Sequence, residues 1–476
     1  MTTPTPEGPR DRRVAHHAGR PSTGIDGCPV HPMFGAAFEQ RPLEYYQYLR
    51  QAGPVVRVKL DPAGSFWGWL VLDVTLQRDI LQDREGQWTS DPRAWCDREL
   101  VQANHPLLRH LDARRHVQHA DGPRHARLRA PIVAALSNPD HQTRRDIAHL
   151  ADSLIAHFAG LGQADLEHDY AQKLPLRVMM NLLGIDSRFS DEVDASVHEL
   201  IRSGPQADQA AQRIDAIMRQ LVEEKYRHPG NDLISSMLQA GPTDAVDIHE
   251  VADQAWFLLS VGLGSTAAWI SNAVLKILTD DDGLLDQVIN GQVTVDDVVA
   301  RVIWDNPPLQ NMFNRWPLQD MELGGCRISR GQLVIISFAA SGSDPATRPS
   351  DPAAAVGHRA HLAWGTGNHE CPAQDLASEI VSIALSRLLV HIPDLQLAIP
   401  RDDLVWGPPL VVRGPASLPV TFTPVEPDHI GAPRCPHHPP STSPPPPTPT
   451  DPNPDNSATP GRSSWLNFLA AFRRGR

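Results

Sequence analysis

The sequence has little of what marks three common classes of protein. Only 21% of its 476 residues are charged and the formal net charge is −13, whereas a protein that binds nucleic acid through its phosphates needs a basic surface. Five cysteines occur without a CxxC pair, so neither a disulfide framework nor a zinc ribbon is predicted. Residues 1–25 contain no apolar segment of a secretory signal. These absences favour a cytoplasmic protein that has no nucleic-acid partner.

One long uncharged run is present, at residues 255–275, and its length would suffice to cross a bilayer. It contains Ser260, Gly262, Gly264 and Ser265, which are too polar or too weakly helix-forming for a lone helix in lipid. A helix that is buried on all sides in a large domain tolerates such residues. We therefore interpret the run as a central core helix.

Residues 34–423 have a globular and mostly helical pattern. Apolar residues recur at helical spacing in residues 147–161 and 210–226. Short β-branched runs bounded by turn-forming residues predict strands at residues 54–60, 68–72 and 331–339. The expected fold is mainly α with small β-sheets.

The two ends of the chain have a different composition. Residues 1–25 are predicted to be a disordered tail, and residues 424–462 a proline-rich disordered linker, since 13 of the 34 residues from 427 to 460 are proline. Residues 463–476 space aromatic and leucine side chains as an amphipathic helix does, and arginines follow. This helix is expected to dock on a protein groove or an anionic membrane surface. The alternative is a frayed terminus with chance apolar spacing. Residues 26–423 would then form the single folded domain.

The segment HLAWGTGNHECPAQDLA, residues 361–377, places Cys371 just before an apolar helical pattern. Pro372 suits the first position of that helix. Unpaired amides at a helix N-terminus stabilise a thiolate, so a lowered pKa is expected for Cys371. Gly365 and Gly367 would let the backbone approach a flat ligand closely. Taken alone, Cys371 could equally be an inert structural thiol.

The phrase WGTGNHECPA resembles the haem-binding loop of the cytochrome P450 family, aromatic-Gly-x-Gly-x-His-x-Cys-x-Gly. Trp364 stands in the aromatic place and Ala373 in that of the last glycine. The resemblance implies the cytochrome P450 fold, with heme b (iron protoporphyrin IX) held between a buried distal helix and the Cys loop. Cys371 would then be the proximal iron ligand.

Other segments follow the family's order over residues 26–423. His125 and Arg129 match a His-x-x-x-Arg pair that contacts haem propionates, although such a pair is alone more typical of a solvated basic face. Arg315 and His369 match two further propionate contacts. Gly262 would leave room for haem, oxygen and substrate on the distal side.

The distal helix departs from the family pattern of an acid followed by threonine. Gly264 stands in the place of the acid, with Ser265 and Thr266 after it. Glycine cannot transfer a proton, so Ser265 and Thr266 are the candidate catalytic residues, through hydrogen bonds to oxygen or water. Alternatively, both hydroxyls bond back to the helix backbone.

A second departure concerns the Glu-x-x-Arg motif, which falls at Arg301 and Trp304. Both members are replaced, and RPSDPAAAVG has no arginine at the place that would complete the ion pair. Losing all partners together can be nearly neutral; Arg301 is expected to point to solvent and Trp304 to pack.

In the Cys loop, Pro372 removes an amide near the sulfur, which would favour the ferric state.

The resemblance predicts a haem-thiolate monooxygenase that inserts one atom of dioxygen into a small apolar organic substrate. Electrons would come from NAD(P)H through a reductase and a ferredoxin-type donor. The locally basic residues 109–129 would steer an acidic donor to the protein. The alternative is that these residues are merely a solvated loop and helix. The rival hypothesis is a haem-binding ligand sensor or interaction component that has lost efficient oxygenation, and a peroxide-driven enzyme lies between the two. A cysteine hydrolase using Cys371 and His369 fits poorly, because no third orienting group is identifiable.

Overall fold

The computed structural model describes residues 22–23, 29–102, 105, 107–111, 113–137, 139–202, 206–240, 247–280, 283–344, 347–348 and 361–430. The predicted C-terminal helix, nearly all of the predicted N-terminal tail and most of the proline-rich segment lie outside these residues.

Helices make up most of the described chain. They are α1 (Ala36–Gln40), α2 (Pro42–Arg50), α3 (Val74–Gln82), α4 (Leu108–Leu111), α5 (Gly122–Leu136), α6 (His141–Phe158), α7 (Lys173–Leu183), α8 (Ser187–Arg202), α9 (Ala207–Arg227), α10 (Leu233–Gln239), α11 (Ile248–Thr279), α12 (Leu284–Ile289), α13 (Val295–Asp305), α14 (Phe338–Gly342) and α15 (Gln374–His391).

The strands are short. They are β1 (Ser22–Thr23), β2 (Pro29–Pro32), β3 (Val55–Lys59), β4 (Trp67–Val71), β5 (Trp88–Thr89), β6 (Gln163–Asp165), β7 (Asn311–Pro317), β8 (Met321–Leu323), β9 (Cys326–Ile328), β10 (Val334–Ser337), β11 (Gln396–Leu397) and β12 (Pro419–Thr421). The predicted mainly α fold with small sheets is confirmed.

The described strands form three sheets. The largest has the order β1-β2-β3-β4-β10-β7-β5, in which β10 runs parallel to β4 and antiparallel to β7. A smaller sheet has the order β11-β12-β6, and β8 pairs with β9. β4 and β10 lie side by side although they are more than 260 residues apart in sequence. Since β7 pairs with β10, this sheet also holds β7 beside the functional site.

The uncharged run forms the middle of α11, which is longer than the sequence predicts. Asp247 caps its N-terminus by accepting hydrogen bonds from the N–H groups of His249 and Glu250. Within the described residues, α11 alone is long and apolar enough to cross a membrane, but 83% of its most apolar stretch is buried. It packs against α7, α9, α13 and α15, which confirms the core-helix interpretation.

The described fold extends beyond both predicted ends of the domain. At the N-terminal end, β1 pairs with β2 although its residues fall in the predicted tail. At the other end, Val425 donates its N–H to the Ala159 carbonyl at 2.9 Å and packs, with Ile430, against the main helical core. The packed chain therefore continues at least to residue 430 rather than ending at residue 423.

Candidate functional site

A cavity of about 360 Å³ lies between α11 and the loop that precedes α15. Seven of the eight predicted site residues border it: Gly262, Ser265, Thr266, His125, Arg129, His369 and Cys371. Arg315, the eighth, does not border the cavity but reaches the same cluster of side chains through a hydrogen bond to Ser90. The fold thus brings residues from four separate segments to one place.

Cys371 borders the cavity just before α15, which begins at Gln374. Pro372 therefore precedes the helix, and the prediction that it occupies the first helical position is wrong. Burial raises the pKa of the Cys371 thiol, while the N–H of Ala373 and the charge of Arg129 act in the opposite direction. This direction is opposite to the lowered pKa expected at a helix N-terminus, because withdrawal from water outweighs the amide and the arginine.

One glycine of the Cys loop lies against the backbone of another element. Gly367 has φ +77°, and a Cβ at this position would lie 2.6 Å from the Leu81 carbonyl oxygen at the end of α3. Only glycine fits a left-handed residue in such close contact with another backbone. Cys371 donates its N–H to the Trp364 carbonyl at 2.8 Å. The loop is thus fixed by its contact with α3 and by its own hydrogen bond.

Three titratable groups and two donors converge beside the Cys loop. The rings of His125 and His369 lie 4.1 Å apart, centroid to centroid. His369 Nε2 lies 3.2 Å from Ser90 Oγ and 3.4 Å from Asp121 Oδ1, and Arg315 Nη1 donates to Ser90 Oγ at 2.7 Å. Burial alone would raise the pKa of Asp121, but hydrogen bonds, first among them that from His369, lower it to about 2. Asp121 is therefore a carboxylate at neutral pH.

Two of these groups lack a partner that an anion could supply. His125 Nε2 is buried and has no hydrogen-bond partner, and Arg315, which donates to Ser90 Oγ and to the Asn314 carbonyl, has no ion pair with a carboxylate among the described residues. Burial, with the neighbouring His369 and Arg129, lowers the pKa of His125 to about 4. Arg315 is 3% exposed, and burial lowers its pKa to about 10. Buried cations and unpaired ring nitrogens are costly unless an anion or acceptor meets them.

On the opposite side, α11 presents an open surface and two hydroxyls. A Cβ on Gly262 would meet nothing within 4 Å. The side-chain hydroxyls of Ser265 and Thr266 have no hydrogen-bond partner in the described part of the chain, whereas the Ser260 hydroxyl on the same helix donates to the Phe257 carbonyl at 2.9 Å. The alternative that both hydroxyls are occupied by the helix backbone is therefore not supported.

No protein-family model matches the sequence. The chain is 30% identical over 387 residues to mycinamicin IV hydroxylase/epoxidase of Micromonospora griseorubida, covering 79% of this chain and 94% of that protein. It is 28% identical to cytochrome P450 monooxygenase PikC of Streptomyces venezuelae, covering 82% and 92%. Among solved structures, a testosterone-bound CYP154C4 from Streptomyces superposes with a TM-score of 0.73 at 26% identity, covering 83% of this chain and 98% of that one.

The chain belongs to the cytochrome P450 family. Its relatives are hydroxylases and monooxygenases, so it is an oxidoreductase of that class, and these comparisons do not favour a sensor without catalysis. Membership implies a haem cofactor.

The described residues fit a haem. A thiol at the base of the cavity, an open glycine surface on α11, and a buried ring nitrogen and arginine without a carboxylate hydrogen-bond partner are what a flat, metal-centred ligand with two carboxylates requires. The apolar lining supplied by Leu136, Met179 and Ile380 suits the body of a porphyrin.

The two residues in the places of the Glu-x-x-Arg motif, Arg301 and Trp304, are both at least partly buried. Trp304 is 2% exposed, and its ring meets the edge of His361 at 5.3 Å, at the start of the Cys-loop segment. Arg301 does not simply point to solvent as predicted, since its Nε is buried without a hydrogen-bond partner among the described residues. The aromatic contact thus connects α13 to the segment that carries Cys371.

One residue further along α13, Asp305 forms an ion pair with Arg348 and lies 3.6 Å from Lys276 of α11. Arg348 opens the segment RPSDPAAAVG, in which no matching arginine was expected. These side chains are about one-third exposed, so each pair contributes little by itself. Together with Trp304 they connect α13 to α11, to Arg348 and to the start of the Cys-loop segment.

The basic stretch at residues 109–129 is partly neutralised. Arg115 pairs with Asp247 at 2.8 Å, and Arg124 and Arg127 pair with Glu250 at 2.9 and 2.6 Å. Both acids lie at the start of α11. These arginines therefore hold α5 and its preceding loop to the central helix, which reduces the charge they offer to a partner.

Three residues of the site are not predicted by the sequence: Ser90, Asp121 and Trp269. Asp121 precedes His125 by four residues and could have been found as the next position on that helical face. Ser90 follows β5 and carries no local signal. Trp269 donates to the Val299 carbonyl and packs edge-on against Trp364 at 5.4 Å, a contact that only the tertiary structure reveals.

Proposed function

We propose that the protein is a haem-thiolate monooxygenase in which the Cys371 sulfur would hold the iron of heme b. It would insert one atom of dioxygen into a small apolar organic substrate, with electrons relayed from NAD(P)H through a reductase and a ferredoxin-type donor. The observation that carries this proposal is the convergence on one cavity of Cys371, the His125 cluster and the open face of α11.

Each part of the cluster has a distinct task in this proposal. The Cys371 sulfur, with the Ala373 N–H beside it, holds the metal. His125, Arg129, Arg315 and His369 would hold the two propionates by charge-assisted hydrogen bonds, which are stronger than neutral ones. Ser90 and Asp121 orient His369 and Arg315.

The haem supplies the centre at which dioxygen is reduced. The task of α11 is to leave room for oxygen and substrate at Gly262 and to hold a water or proton with Ser265 and Thr266. Gly264 contributes no acid, so proton delivery depends on these hydroxyls and on water or substrate. Lower coupling of reductant to product is the expected consequence.

The substrate side of the cavity is apolar, with Leu107, Val117, Phe257, Met312 and Val412 among its lining residues. Such a lining favours an organic molecule that loses water contact on binding. Apart from the groups assigned to haem, no charged side chain borders the cavity in the described chain. We therefore expect an uncharged substrate.

Turnover with isotopically labelled dioxygen tests the proposal. The purified protein is supplied with a ferredoxin, its reductase, NADPH and a panel of macrolides, steroids and naphthalenes. The expected result is a product that contains one labelled oxygen atom, formed only when all components are present. Haem binding and reduction without any labelled product would instead support the sensor, and product formation from peroxide alone would support the peroxide-driven variant.

A further inference from the structure

The loop between α4 and α5 places the side-chain amide of Gln118 at the cavity. Gln118 lies in the 3-10 turn Val117–His119, is partly exposed and borders the cavity. Its side chain has no hydrogen-bond partner among the described residues. An amide carries both a donor and an acceptor, so it can pair with a hydroxyl or with a carbonyl.

The turn that carries Gln118 is attached firmly to α11. The ring of His116 is buried and stacks on Phe257 at 4.2 Å, with an interplanar angle of 15°. The N–H of Val117 donates to Gln254 Oε1 at 2.8 Å, and Gln254 is itself buried. Gln254 and Phe257 are three residues apart and lie on the same face of α11. Gln118 is therefore presented to the cavity by a fixed backbone, which reduces the entropy lost when it binds a ligand.

Two other amides, Asn311 and Asn314, border the cavity. Asn311 donates its amide nitrogen to the Tyr46 hydroxyl at 2.7 Å and to the Leu410 carbonyl at 2.8 Å, so only its oxygen is left for a ligand. That oxygen and the Asn314 oxygen are buried and have no hydrogen-bond partner among the described residues. The charged groups that border the cavity, Arg129 and the histidines, belong to the proposed haem cluster.

We infer that Gln118 is a specificity-determining residue, which recognises a neutral hydroxyl or carbonyl oxygen on an otherwise apolar substrate. This inference rests on the proposed function, since it takes the same cavity as the substrate site. A hydroxyl buried without a partner is penalised, whereas one that meets the amide regains the lost hydrogen bond. The site thus favours a substrate with one neutral oxygen atom, and the cost of burying a charge disfavours a carboxylate.

Equilibrium dialysis of the haem-loaded protein with three ligands of one shape tests the inference. Naphthalene has no polar group, 2-naphthol is neutral at pH 7 and donates a hydrogen bond, and 2-naphthoate is an anion. The wild-type protein should bind 2-naphthol about fivefold more tightly than naphthalene, which corresponds to about 1 kcal/mol. The anion should bind more weakly than either.

Gln118→Met keeps the length and flexibility of the side chain but removes both polar atoms. The ratio of the two dissociation constants should fall to one or below, while Gln292→Met, an exposed position away from the cavity, should keep the wild-type ratio. A preference for 2-naphthol that survives in Gln118→Met, or that is absent from the wild-type protein, overturns the inference.

Gln118→Glu provides a second readout if the methionine variant fails to load haem. It keeps the acceptor, so it should retain the preference for 2-naphthol and bind 2-naphthoate still more weakly; loss of the 2-naphthol preference here contradicts the inference. The two proposals fail differently. A wild-type chain that takes up no haem overturns the proposed function, whereas a haem-loaded chain that binds all three ligands equally overturns only the role of Gln118.

Discussion

Two buried arginines, Arg315 and Arg413, differ in what their charged groups contact. Arg315 is 3% exposed and Arg413 is 8% exposed, and burial lowers the pKa of each to about 10. Both therefore remain charged at neutral pH. Arg413 donates to the Glu39 carbonyl and lies over the ring of Trp406, whereas Arg315 faces the cluster at the Cys loop. Only Arg315 should respond to an anionic ligand.

Replacing Arg315 with Met should weaken haem retention by at least about tenfold, since hydrogen bonds to charged groups contribute about 1.5–3 kcal/mol. The rate of haem transfer to apomyoglobin measures the effect. Arg413→Met is the matched control and should lower the thermal stability without a comparable change in that rate. Equal haem loss in both variants would mean that Arg315 acts only through the fold.

The hydroxyls of α11 give a second prediction at this scale. Ser265→Ala should lower the fraction of NADPH electrons recovered in product several-fold and raise peroxide release, because a group that holds a proton or water at the site is lost. Ser260→Ala is the control, since its hydroxyl is already bonded to the Phe257 carbonyl. Product and peroxide are quantified per NADPH consumed. Indistinguishable coupling in the two variants would remove Ser265 from the mechanism.

Individual site residues could be predicted because a short motif carries most of the chemistry. The resemblance to the haem-binding loop points to Cys371 and His369, and the separate His-x-x-x-Arg pair points to His125 and Arg129. Ser90 could not be predicted, since its role arises where β5 meets the Cys loop, and the direction of the Cys371 pKa depends on burial that no local pattern encodes.

At the scale of elements, Asp165 connects the small sheet to the helical core. It accepts hydrogen bonds from the N–H of Leu418 at 2.9 Å, from the Ser417 hydroxyl at 2.7 Å and from His168 at 2.8 Å. Burial alone would raise its pKa, but these hydrogen bonds lower it from 3.8 to about 2. A carboxylate whose pKa is lowered on folding stabilises the folded state at neutral pH.

Asp165→Asn should therefore destabilise the protein by about 2 kcal/mol at pH 7. The contribution is complete above the unfolded pKa near 4 and disappears as the pH falls through about 2. The difference between wild type and variant, measured by urea unfolding, should thus shrink across that interval. A difference that is the same at pH 7 and pH 2.5 would contradict this account.

Element boundaries were harder to predict than element types. The predicted strands at residues 54–60 and 68–72 appear as β3 and β4, because alternation and turn residues mark them locally. The core helix begins at Ile248 instead of residue 255, since its first turn contains His249 and Glu250 and is fixed by the Asp247 cap. Polar first turns hide a helix start from a hydrophobic pattern.

At the scale of the whole molecule, the question is where the folded unit ends. The predicted domain covers residues 26–423, whereas Val425 and Ile430 pack on the helical core. A chain that ends at residue 430 should keep the wild-type unfolding midpoint and haem content, because the described core is complete. A chain that ends at residue 423 should unfold at a lower temperature, since it loses the Val425 hydrogen bond and two apolar contacts. Equal midpoints for the two truncations would restore the predicted boundary.

The overall architecture could be predicted from the family motif and the helical periodicity, but its internal connections could not. Trp304, in the place of the arginine of Glu-x-x-Arg, contacts His361, and the next residue, Asp305, forms an ion pair with Arg348. The sequence does not show that these side chains meet, because the partners lie more than forty residues further along the chain.

The central claim is that the sulfur of Cys371 binds the haem iron, and the absorption spectrum of the reduced protein with carbon monoxide tests it most directly. The account predicts a thiolate-type band for the wild-type protein and for Cys326→Ala, whose thiol bonds the Val55 carbonyl away from the cavity. Cys371→Ala should lose that band. A thiolate-type spectrum that persists in Cys371→Ala, or a wild-type protein that binds no haem when haem is abundant, would contradict the claim.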